Sequence, residues 1–448
     1  MKSSLILLPL PWTTRNIMIM EKPTWRPCLP TWVGSSRGSA RKSYYLFLRF
    51  LFCVFVIIIV YITFPFTTPI HHTPYIPPSN DYQIHGKSVS DEAERHETLY
   101  PLHPFPPTPM VLTEEASNNT NRPPWLAAII SSAFEPERRM LIRTTWIHKF
   151  QDVVPFDARF VVSNPGPQWV EILQAENRTF GDLIVLDHLQ EDDFTANTIK
   201  TIELFRYLIN HGFHYEFVSK LDTDLFLNAR RFWDVYLRPR LTADNKANIT
   251  RTGIGELYYH NDLVFLHGSM YTYTWDIIEE LVQLQDRFRV VTCEDVLAPI
   301  LLLKARRMVN IVNFLGSEKF DYLELDSRGD GTPWARQATH PNATEHALYG
   351  DNPIAVHDLK KNERYLKIAD AFDKDGIKPM PPGSDLQWAS PWMLWVDFWH
   401  ALGGTTYLTP RVKRIPDYFY SQSSDGDWIV DGIWNLGKTK EGHQERDA

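Results

Sequence analysis

Cysteine is scarce in this sequence, with three residues in 448: Cys28, Cys53 and Cys293. The first two precede the segments that have a globular composition, so one cysteine remains for the folded part. A disulfide framework within that part is therefore excluded. About 300 residues remain to build a packed apolar core, which is enough for one large domain or two small ones.

An excess of basic residues is also missing. The formal net charge is −8, with 46 Lys and Arg against 54 Asp and Glu. General binding to nucleic acid needs a concentrated positive surface, because contacts with phosphates dominate the affinity. The charge balance therefore argues against nucleic acid as a partner.

One long apolar run is present, over residues 44–66, and Arg49 is its single charged residue. About 20 such residues span a bilayer as one helix, with Arg49 reaching toward the interface. We predict a transmembrane signal-anchor rather than a cleaved signal peptide, since the run lies far from the N-terminus and lacks a small-residue cleavage site. Residues 1–43 carry seven Lys or Arg and one acid, so the positive-inside rule places this tail in the cytosol.

The chain after the predicted anchor has the features of a luminal protein. Residues 67–124 are rich in Pro, His and Asn without a sustained apolar period, which predicts a disordered luminal stem. We expect a single-pass type II glycoprotein of the Golgi membrane, with a luminal domain over residues 125–448. Four Asn-x-Ser/Thr triplets fit this location: Asn118, Asn177, Asn248 and Asn342.

From residue 125 onward, short apolar segments alternate with helical ones. Each apolar segment is followed by polar, turn-forming residues and predicts a buried strand. The segments are 125–134, 158–164, 182–187 and 215–221. Residues 196–212 have apolar side chains at helical spacing and Gly212 as a stop. We therefore predict an α/β fold with a mostly parallel central sheet, in which ligands bind at the carboxyl ends of the strands.

Two acidic residues, Asp222 and Asp224, follow the fourth predicted strand and precede the apolar residues 225–227. Carboxylates bracketed by core sequence are costly unless a cation compensates them. Mg²⁺ or Mn²⁺ binds such carboxylates together with substrate phosphates. The pattern therefore favours a divalent metal site over a solvated turn.

Seven blocks of residues follow one another in a fixed order between about residues 130 and 315. They are Arg138-Arg139…Ile142-Arg143-x-Thr145-Trp146, Phe160-Val161-Val162, Glu176…Gly181-Asp182, Asp192…Lys200-Thr201, Lys220-x-Asp222-x-Asp224, His267-Gly268-Ser269-x-Tyr271 and Glu294-Asp295-Val296. The ordered series resembles the β-1,3-galactosyltransferase family, an inverting group that also contains β-1,3-N-acetylglucosaminyltransferases and Fringe-like enzymes.

The resemblance implies a GT-A-type nucleotide-sugar-binding domain. Its implied activity is transfer of a hexose, with galactose as the default, from a UDP-sugar to a glycan hydroxyl with inversion, forming a β-1,3 linkage. It implies Asp224 as a direct ligand of Mn²⁺ (or Mg²⁺), and Asp222 as a contact to the ribose or to the metal. His357, after the apolar residues 354–356, is the expected further ligand, with an ordinary surface histidine as the alternative.

Asp295 is implied as the general base that accepts the proton of the acceptor hydroxyl. It stands at the start of a predicted helix, so a purely structural N-terminal cap is the alternative. Arg139, Arg143 and Lys200 are expected to contact the uridine or the phosphates, with a solvated surface position as the alternative.

The sequence departs from the family pattern in several places. Thr223 replaces the middle acid of the family's Asp-Asp-Asp, the glycine expected after Glu-Asp-Val is missing, and Cys293 has no partner for the family's luminal disulfides. The Trp-rich segment of about 380–448 aligns with nothing in the family and predicts either core or a sugar-stacking surface. These departures keep open an alternative function, a catalytically inactive glycan-binding relative that organises other Golgi enzymes.

Overall fold

The computed structural model describes the chain from residue 122, with gaps, and two short strands before it. The described ranges are 83–84, 87–88, 122–260, 262–314, 317–324, 332–335, 346–380, 391–404 and 415–442. The predicted tail, the predicted anchor and most of the predicted stem lie outside these residues. Within the described part of the chain, no helix combines the length and the apolar character needed to cross a bilayer.

The strands and helices are numbered in chain order. The strands are β1 (Gln83–Ile84), β2 (Lys87–Ser88), β3 (Trp125–Ile130), β4 (Phe156–Asn164), β5 (Leu183–Gln190), β6 (Phe217–Asp222), β7 (Phe226–Leu227), β8 (Thr252–His260), β9 (Leu263–Thr274), β10 (Val309–Asn313), β11 (Lys319–Asp321), β12 (Ala355–His357), β13 (Phe372–Asp373), β14 (Gly376–Ile377), β15 (Tyr420–Gln422), β16 (Trp428–Val430) and β17 (Trp434–Gly437). The α-helices are α1 (Pro136–Ile142), α2 (His148–Phe150), α3 (Val170–Phe180), α4 (Asp193–Thr198), α5 (Lys200–Asn210), α6 (Ala229–Phe232), α7 (Trp275–Phe288), α8 (Glu294–Ala305), α9 (Asn362–Asp370) and α10 (Pro391–Ala401).

A ten-stranded sheet in the order β15-β16-β17-β10-β8-β9-β6-β3-β4-β5 forms the centre of the domain. The four predicted strands are confirmed as β3, β4, β5 and β6, and they run parallel to their neighbours among themselves. Alternate side chains of β3 enter two different apolar cores, Trp125 and Ala127 one and Leu126 and Ala128 the other. Both faces of the sheet are therefore covered, as a buried parallel sheet requires.

The expectation of a mostly parallel sheet is wrong for the sheet as a whole, which is mixed. β9 runs antiparallel to both β6 and β8, and β15, β16 and β17 pair antiparallel. For β8 and β9 the cause is the short connection between them, since β8 ends at His260 and β9 begins at Leu263. A short turn joins antiparallel strands, whereas a parallel pair needs a long crossover.

The predicted helix over residues 196–212 is confirmed in its main part as α5, which Gly212 follows with a positive φ of 65°. The Trp-rich segment contributes to the core, as one of the two alternatives predicts, and it also carries an exposed tryptophan. Trp434 is buried in β17 of the central sheet, whereas Trp395 on α10 is 45% exposed. This tail therefore supplies both core and surface.

A second, three-stranded sheet lies in the order β11-β12-β7. β12 runs parallel to β11 and antiparallel to β7, which begins four residues after β6 ends. Because β7 follows Asp222 and Asp224 so closely, this small sheet brings a distant part of the chain to the end of the central sheet.

Candidate active site

Asp222 is the last residue of β6 and lies opposite Ile130, the last residue of β3. It therefore occupies the carboxyl edge of the parallel half of the sheet, where α/β proteins bind ligands. Asp224 follows two residues later, in the turn that leads into β7. Its backbone carbonyl accepts a hydrogen bond from the N–H of Leu359 at 3.0 Å, which fixes the turn to the chain just after β12.

His357 reaches this edge through the small sheet. In β12, Val356 lies opposite Phe226 of β7. The next residue of β12, His357, therefore lies beside the turn that carries Asp224. Asp321 of β11 lies opposite His357 on the other side. The imidazole consequently sits between two carboxylates, with Nε2 3.2 Å from Oδ1 of Asp224 and Nδ1 2.6 Å from Oδ1 of Asp321.

Asp222, Asp224 and His357 form a group that we call the metal cluster. Each offers one ligand atom, and these atoms lie within 4.8 Å of one another. Two carboxylate oxygens and one imidazole nitrogen fit a divalent cation, and the nitrogen favours Mn²⁺ over Mg²⁺, which prefers oxygen ligands. The three residues that the sequence predicts as metal ligands are thus brought together by two different sheets.

His357 lies between two carboxylates, and their charges decide its protonation. Burial alone lowers the pKa of His357, but its hydrogen bonds with Asp224 and Asp321 raise that pKa to about 9. Asp321 at Nδ1 is the orienting carboxylate that metal-bound histidines commonly have. A bound cation would replace the proton at Nε2 and leave this second hydrogen bond intact.

Lys220 connects the metal cluster to the start of α8. Its Nζ lies 2.8 Å from Oδ1 of Asp222 and 3.0 Å from Oε2 of Glu294, and it donates to the backbone carbonyl of Gly268. Although burial opposes it, the charges of Asp222 and Glu294 raise the pKa of Lys220 above its usual range. The lysine is therefore a permanent cation that holds two carboxylates in place.

Asp295 lies in the first turn of α8, but Cys293 occupies the cap position, so the alternative role as N-cap does not apply. A Cβ atom on Gly268 would lie 1.9 Å from Oδ1 of Asp295, so this close approach requires glycine. Burial, followed by the charge of Glu294, raises the pKa of Asp295 to about 7. A carboxyl group that changes charge near neutral pH is suited to general base catalysis.

Arg139 and Lys200 lie behind the loop that connects β3 to α1. Both side chains are 0% exposed. Arg139 pairs with Glu176 at 2.7 Å and donates to the carbonyl of Ser132, while Lys200 donates to the carbonyl of Ser131 at 2.8 Å. Because they have no exposed surface, we revise the predicted direct contact with the donor: they support a loop at the ligand-binding edge.

Arg143 is also kept from a ligand by its neighbours. Its guanidinium pairs with Asp182 at 2.8 Å and with Glu176 at 2.7 Å, and it stacks on the rings of Phe160 and Phe180. Although burial alone lowers it, the hydrogen bond and charge of Asp182 raise the pKa of Arg143. The predicted donor contact is revised here as well. The hydrogen bonds of the guanidinium are made to Glu176 and Asp182, and they join the end of α1 to α3.

Several residues of the site were not predicted. Lys220 and Glu294 belong to blocks of the family series, but neither was assigned a role. The signal for Lys220 is its position inside a buried strand that ends at an acidic residue, because a buried lysine needs carboxylate partners. Asp321 had no such signal, because it becomes part of the site only through the pairing of β11 with β12.

Residues 137–256 match the family model described as Galactosyltransferase. The chain therefore carries a segment of the glycosyltransferase class, and the resemblance to the β-1,3-galactosyltransferase family is confirmed. The match includes Asp222 and Asp224 and ends before Asp295 and His357.

Two relatives are similar to parts of this chain. Rat UDP-GalNAc:beta-1,3-N-acetylgalactosaminyltransferase 1 is 30% identical over 124 residues, 26% of this chain and 36% of that protein. Human beta-1,3-galactosyltransferase 1 is 24% identical over 200 residues, 40% of this chain and 60% of that protein. The chain thus spans between about a third and three fifths of the length of these relatives.

Solved structures of glycosyltransferases give weaker likenesses. The galactosyltransferase LgtC in complex with donor and acceptor sugar analogs is 11% identical with a TM-score of 0.31, covering 59% of this chain and 100% of that one. The apo WbbM bifunctional enzyme is 10% identical with a TM-score of 0.34, covering 57% and 51%. Because these scores are low, the proposed function is argued from the family match and from the geometry of the site.

Proposed function

We propose that this protein is a metal-dependent, inverting hexosyltransferase with a GT-A-type domain that transfers galactose, or a related hexose, from a UDP-sugar to a glycan hydroxyl. The observation that carries the proposal is the pairing of two features at one sheet edge. The metal cluster lies at the end of β6, and Lys220 links it to the turn of α8 that holds Asp295. A β-1,3 linkage is proposed from the relatives' names.

In the proposed reaction, Asp222, Asp224 and His357 would hold the cation. When bound, the cation offsets the negative charge of the donor's diphosphate as it departs. Asp295 accepts the proton of the acceptor hydroxyl. The acceptor oxygen forms the new bond to the anomeric carbon while the bond from that carbon to the phosphate oxygen breaks, and its electron pair leaves with UDP.

Lys220 has a positioning role in this scheme. It holds Asp222 toward the metal cluster and Glu294 toward α8, while the hydroxyl of Tyr271 donates to the other oxygen of Glu294. Each oxygen of Glu294 therefore has a donor, and the carboxyl group is charged. Although burial opposes it, Lys220 lowers its pKa. Burial, followed by the charge of Glu294, raises the pKa of Asp295, which makes Asp295 the proton acceptor of the pair.

The experiment is a donor screen with the full-length protein purified in detergent. UDP-galactose, UDP-N-acetylgalactosamine and UDP-N-acetylglucosamine are each offered with Mn²⁺ and with excess EDTA. The proposal expects turnover of one of them that needs the metal. The alternative function, an inactive glycan-binding relative, rests on Thr223 and expects no turnover of any donor.

We also propose a Golgi location with type II topology, supported by the apolar run over residues 44–66 and the basic residues before it. The expected result is a size shift on treatment with an N-glycosidase, because the Asn-x-Ser/Thr triplets would lie in the lumen. Modification of a tag placed at the N-terminus inside the lumen would refute this orientation.

A further inference from the structure

His267 lies beside the metal cluster and has no role in the scheme above. It belongs to β9, the neighbour of β6, and precedes Gly268, on which Asp295 rests. Its ring packs edge to face on the ring of His357, with 5.8 Å between the ring centroids and 76° between the planes. A ligand bound at His357 is therefore within reach of the imidazole of His267.

Donor groups converge on one nitrogen of this imidazole. Nζ of Lys319 lies 3.0 Å from Nδ1, and both the hydroxyl and the backbone N–H of Ser269 lie within hydrogen-bond distance of it. A lysine ammonium group can only donate. Nδ1 is therefore the acceptor, and the ring hydrogen of the neutral imidazole is carried by Nε2.

Lys319 is itself fixed by an ion pair with Glu256. Its Nζ lies 2.6 Å from Oε2 of Glu256, and the lysine side chain is 2% exposed. The pair is balanced in charge and has little room to move, so the donation to His267 is built into the fold. Lys319 and Glu256 thus select one tautomer of His267.

The Nε2–H group that results is available to a ligand. Among residues of the described ranges, it has no hydrogen-bond partner, while Nδ1 has three contacts. A donor that is fixed in one tautomer, has no acceptor in the described part of the chain and lies next to the metal cluster is arranged for an oxygen of a bound molecule.

We propose that Nε2–H of His267 donates a hydrogen bond to a diphosphate oxygen of the nucleotide-sugar donor, with Lys319 and Glu256 as positioning residues. The inference rests on the proposed function, because the diphosphate is the group that the cluster's cation would hold. That position, directly against His357, favours the diphosphate over a more distant sugar hydroxyl.

The test compares two substitutions in the full-length protein. His267→Gln keeps an acceptor for Lys319 and a donor for the ligand, whereas His267→Met keeps bulk and a weak acceptor but removes the donor. UDP and uridine are titrated calorimetrically in the presence of Mn²⁺, and bound Mn²⁺ is counted separately by electron paramagnetic resonance. His188→Met, at a half-exposed histidine paired with Glu203, is the matched control.

The proposal expects His267→Met to weaken UDP binding about tenfold, which corresponds to about 1.4 kcal/mol. Uridine binding and Mn²⁺ stoichiometry should stay unchanged, and His267→Gln and His188→Met should bind UDP as the wild type does. If His267→Met melts below the assay temperature, His267→Thr replaces it, because threonine suits a strand and is too short to reach the ligand.

Unchanged UDP affinity in His267→Met overturns the inference, as does an equal loss of UDP and uridine binding. Loss of transfer with unchanged UDP affinity also overturns it, since it indicates a contact with the sugar. Failure of the underlying function is recognised separately: the wild type itself would then show no Mn²⁺-dependent binding of UDP.

Discussion

Two groups of buried charges lie near the same sheet edge, and they differ in the ratio of basic to acidic side chains. Behind the loop after β3, three cations pair with three carboxylates: Arg139, Arg143 and Lys200 with Glu176, Asp182 and Glu191. We call this the loop-support cluster. At the end of β6, one lysine and one histidine face five carboxyl groups: Asp222, Asp224, Glu294, Asp295 and Asp321.

The difference separates structure from function. A balanced buried cluster is complete, and its removal leaves unpaired charge, so it contributes to the fold. A cluster with excess carboxylate is balanced in charge only with a further cation, and here burial together with the neighbouring Glu294 raises the pKa of Asp295. Strongly perturbed groups of this kind concentrate at functional sites.

The largest effect is expected from Asp224→Ala, which should abolish transfer. The melting temperature in EDTA should fall slightly, because the variant loses the hydrogen bond and ion pair with His357, which, although burial opposes it, hold the pKa of Asp224 below its usual range. Asp234→Ala, at an exposed i,i+4 pair with Arg230, is the control and should keep full activity. Substantial transfer by Asp224→Ala would contradict the assignment of the unbalanced group to catalysis.

Asp295→Asn should lower turnover on the order of 10²-fold or more, the scale of a positioned general base. Asparagine keeps the size of the side chain that rests on Gly268, so UDP affinity and melting temperature should barely change. Turnover and UDP affinity are measured together. Near-normal turnover would remove Asp295 from the mechanism, and a parallel loss of both would indicate a damaged fold.

Glu176→Gln tests the balanced group. It leaves the guanidinium groups of Arg139 and Arg143 without a shared carboxylate, and the free energy of unfolding should fall by about 3–5 kcal/mol. Glu171→Gln, at an exposed position on the same helix, should change it little. Chemical denaturation measures both. If the Glu176→Gln protein were as stable as the wild type but had lost Mn²⁺ binding, the assignment of the loop-support cluster to stability would be contradicted.

A smaller effect concerns the pH dependence of stability in EDTA. Burial and Glu294 raise the pKa of Asp295 to about 7, well above its unfolded value of about 3.9. Between these values the folded state binds more protons, so the contribution of Asp295 to stability is present at low pH and is lost as pH rises through about 7. Asp295→Asn should flatten this slope in denaturation curves between pH 4 and 8. An unaltered slope would show that Asp295 ionises normally.

Sequence reasoning recovered the parallel half of the sheet because β3 to β6 are continuous apolar segments. It missed the β8–β9 hairpin, since the block from Gly268 to Tyr271 indicates a family motif but not the direction of the strand that carries it. It found the metal cluster from one local motif and one resemblance. It assigned Arg139, Arg143 and Lys200 to contact with the donor, a role that we revise because the structure pairs them with carboxylates such as Glu176 and Glu191, which residue type alone does not reveal.

The central claim is that Asp222, Asp224 and His357 bind one divalent cation on which transfer depends. The most direct measurement is a Mn²⁺ titration of the full-length protein followed by electron paramagnetic resonance, with transfer assayed on the same samples. The account predicts one tightly bound Mn²⁺ per chain, lost together with transfer in Asp224→Ala and retained in Asp234→Ala. Undiminished Mn²⁺ binding in Asp224→Ala, or full transfer in excess EDTA, would contradict it.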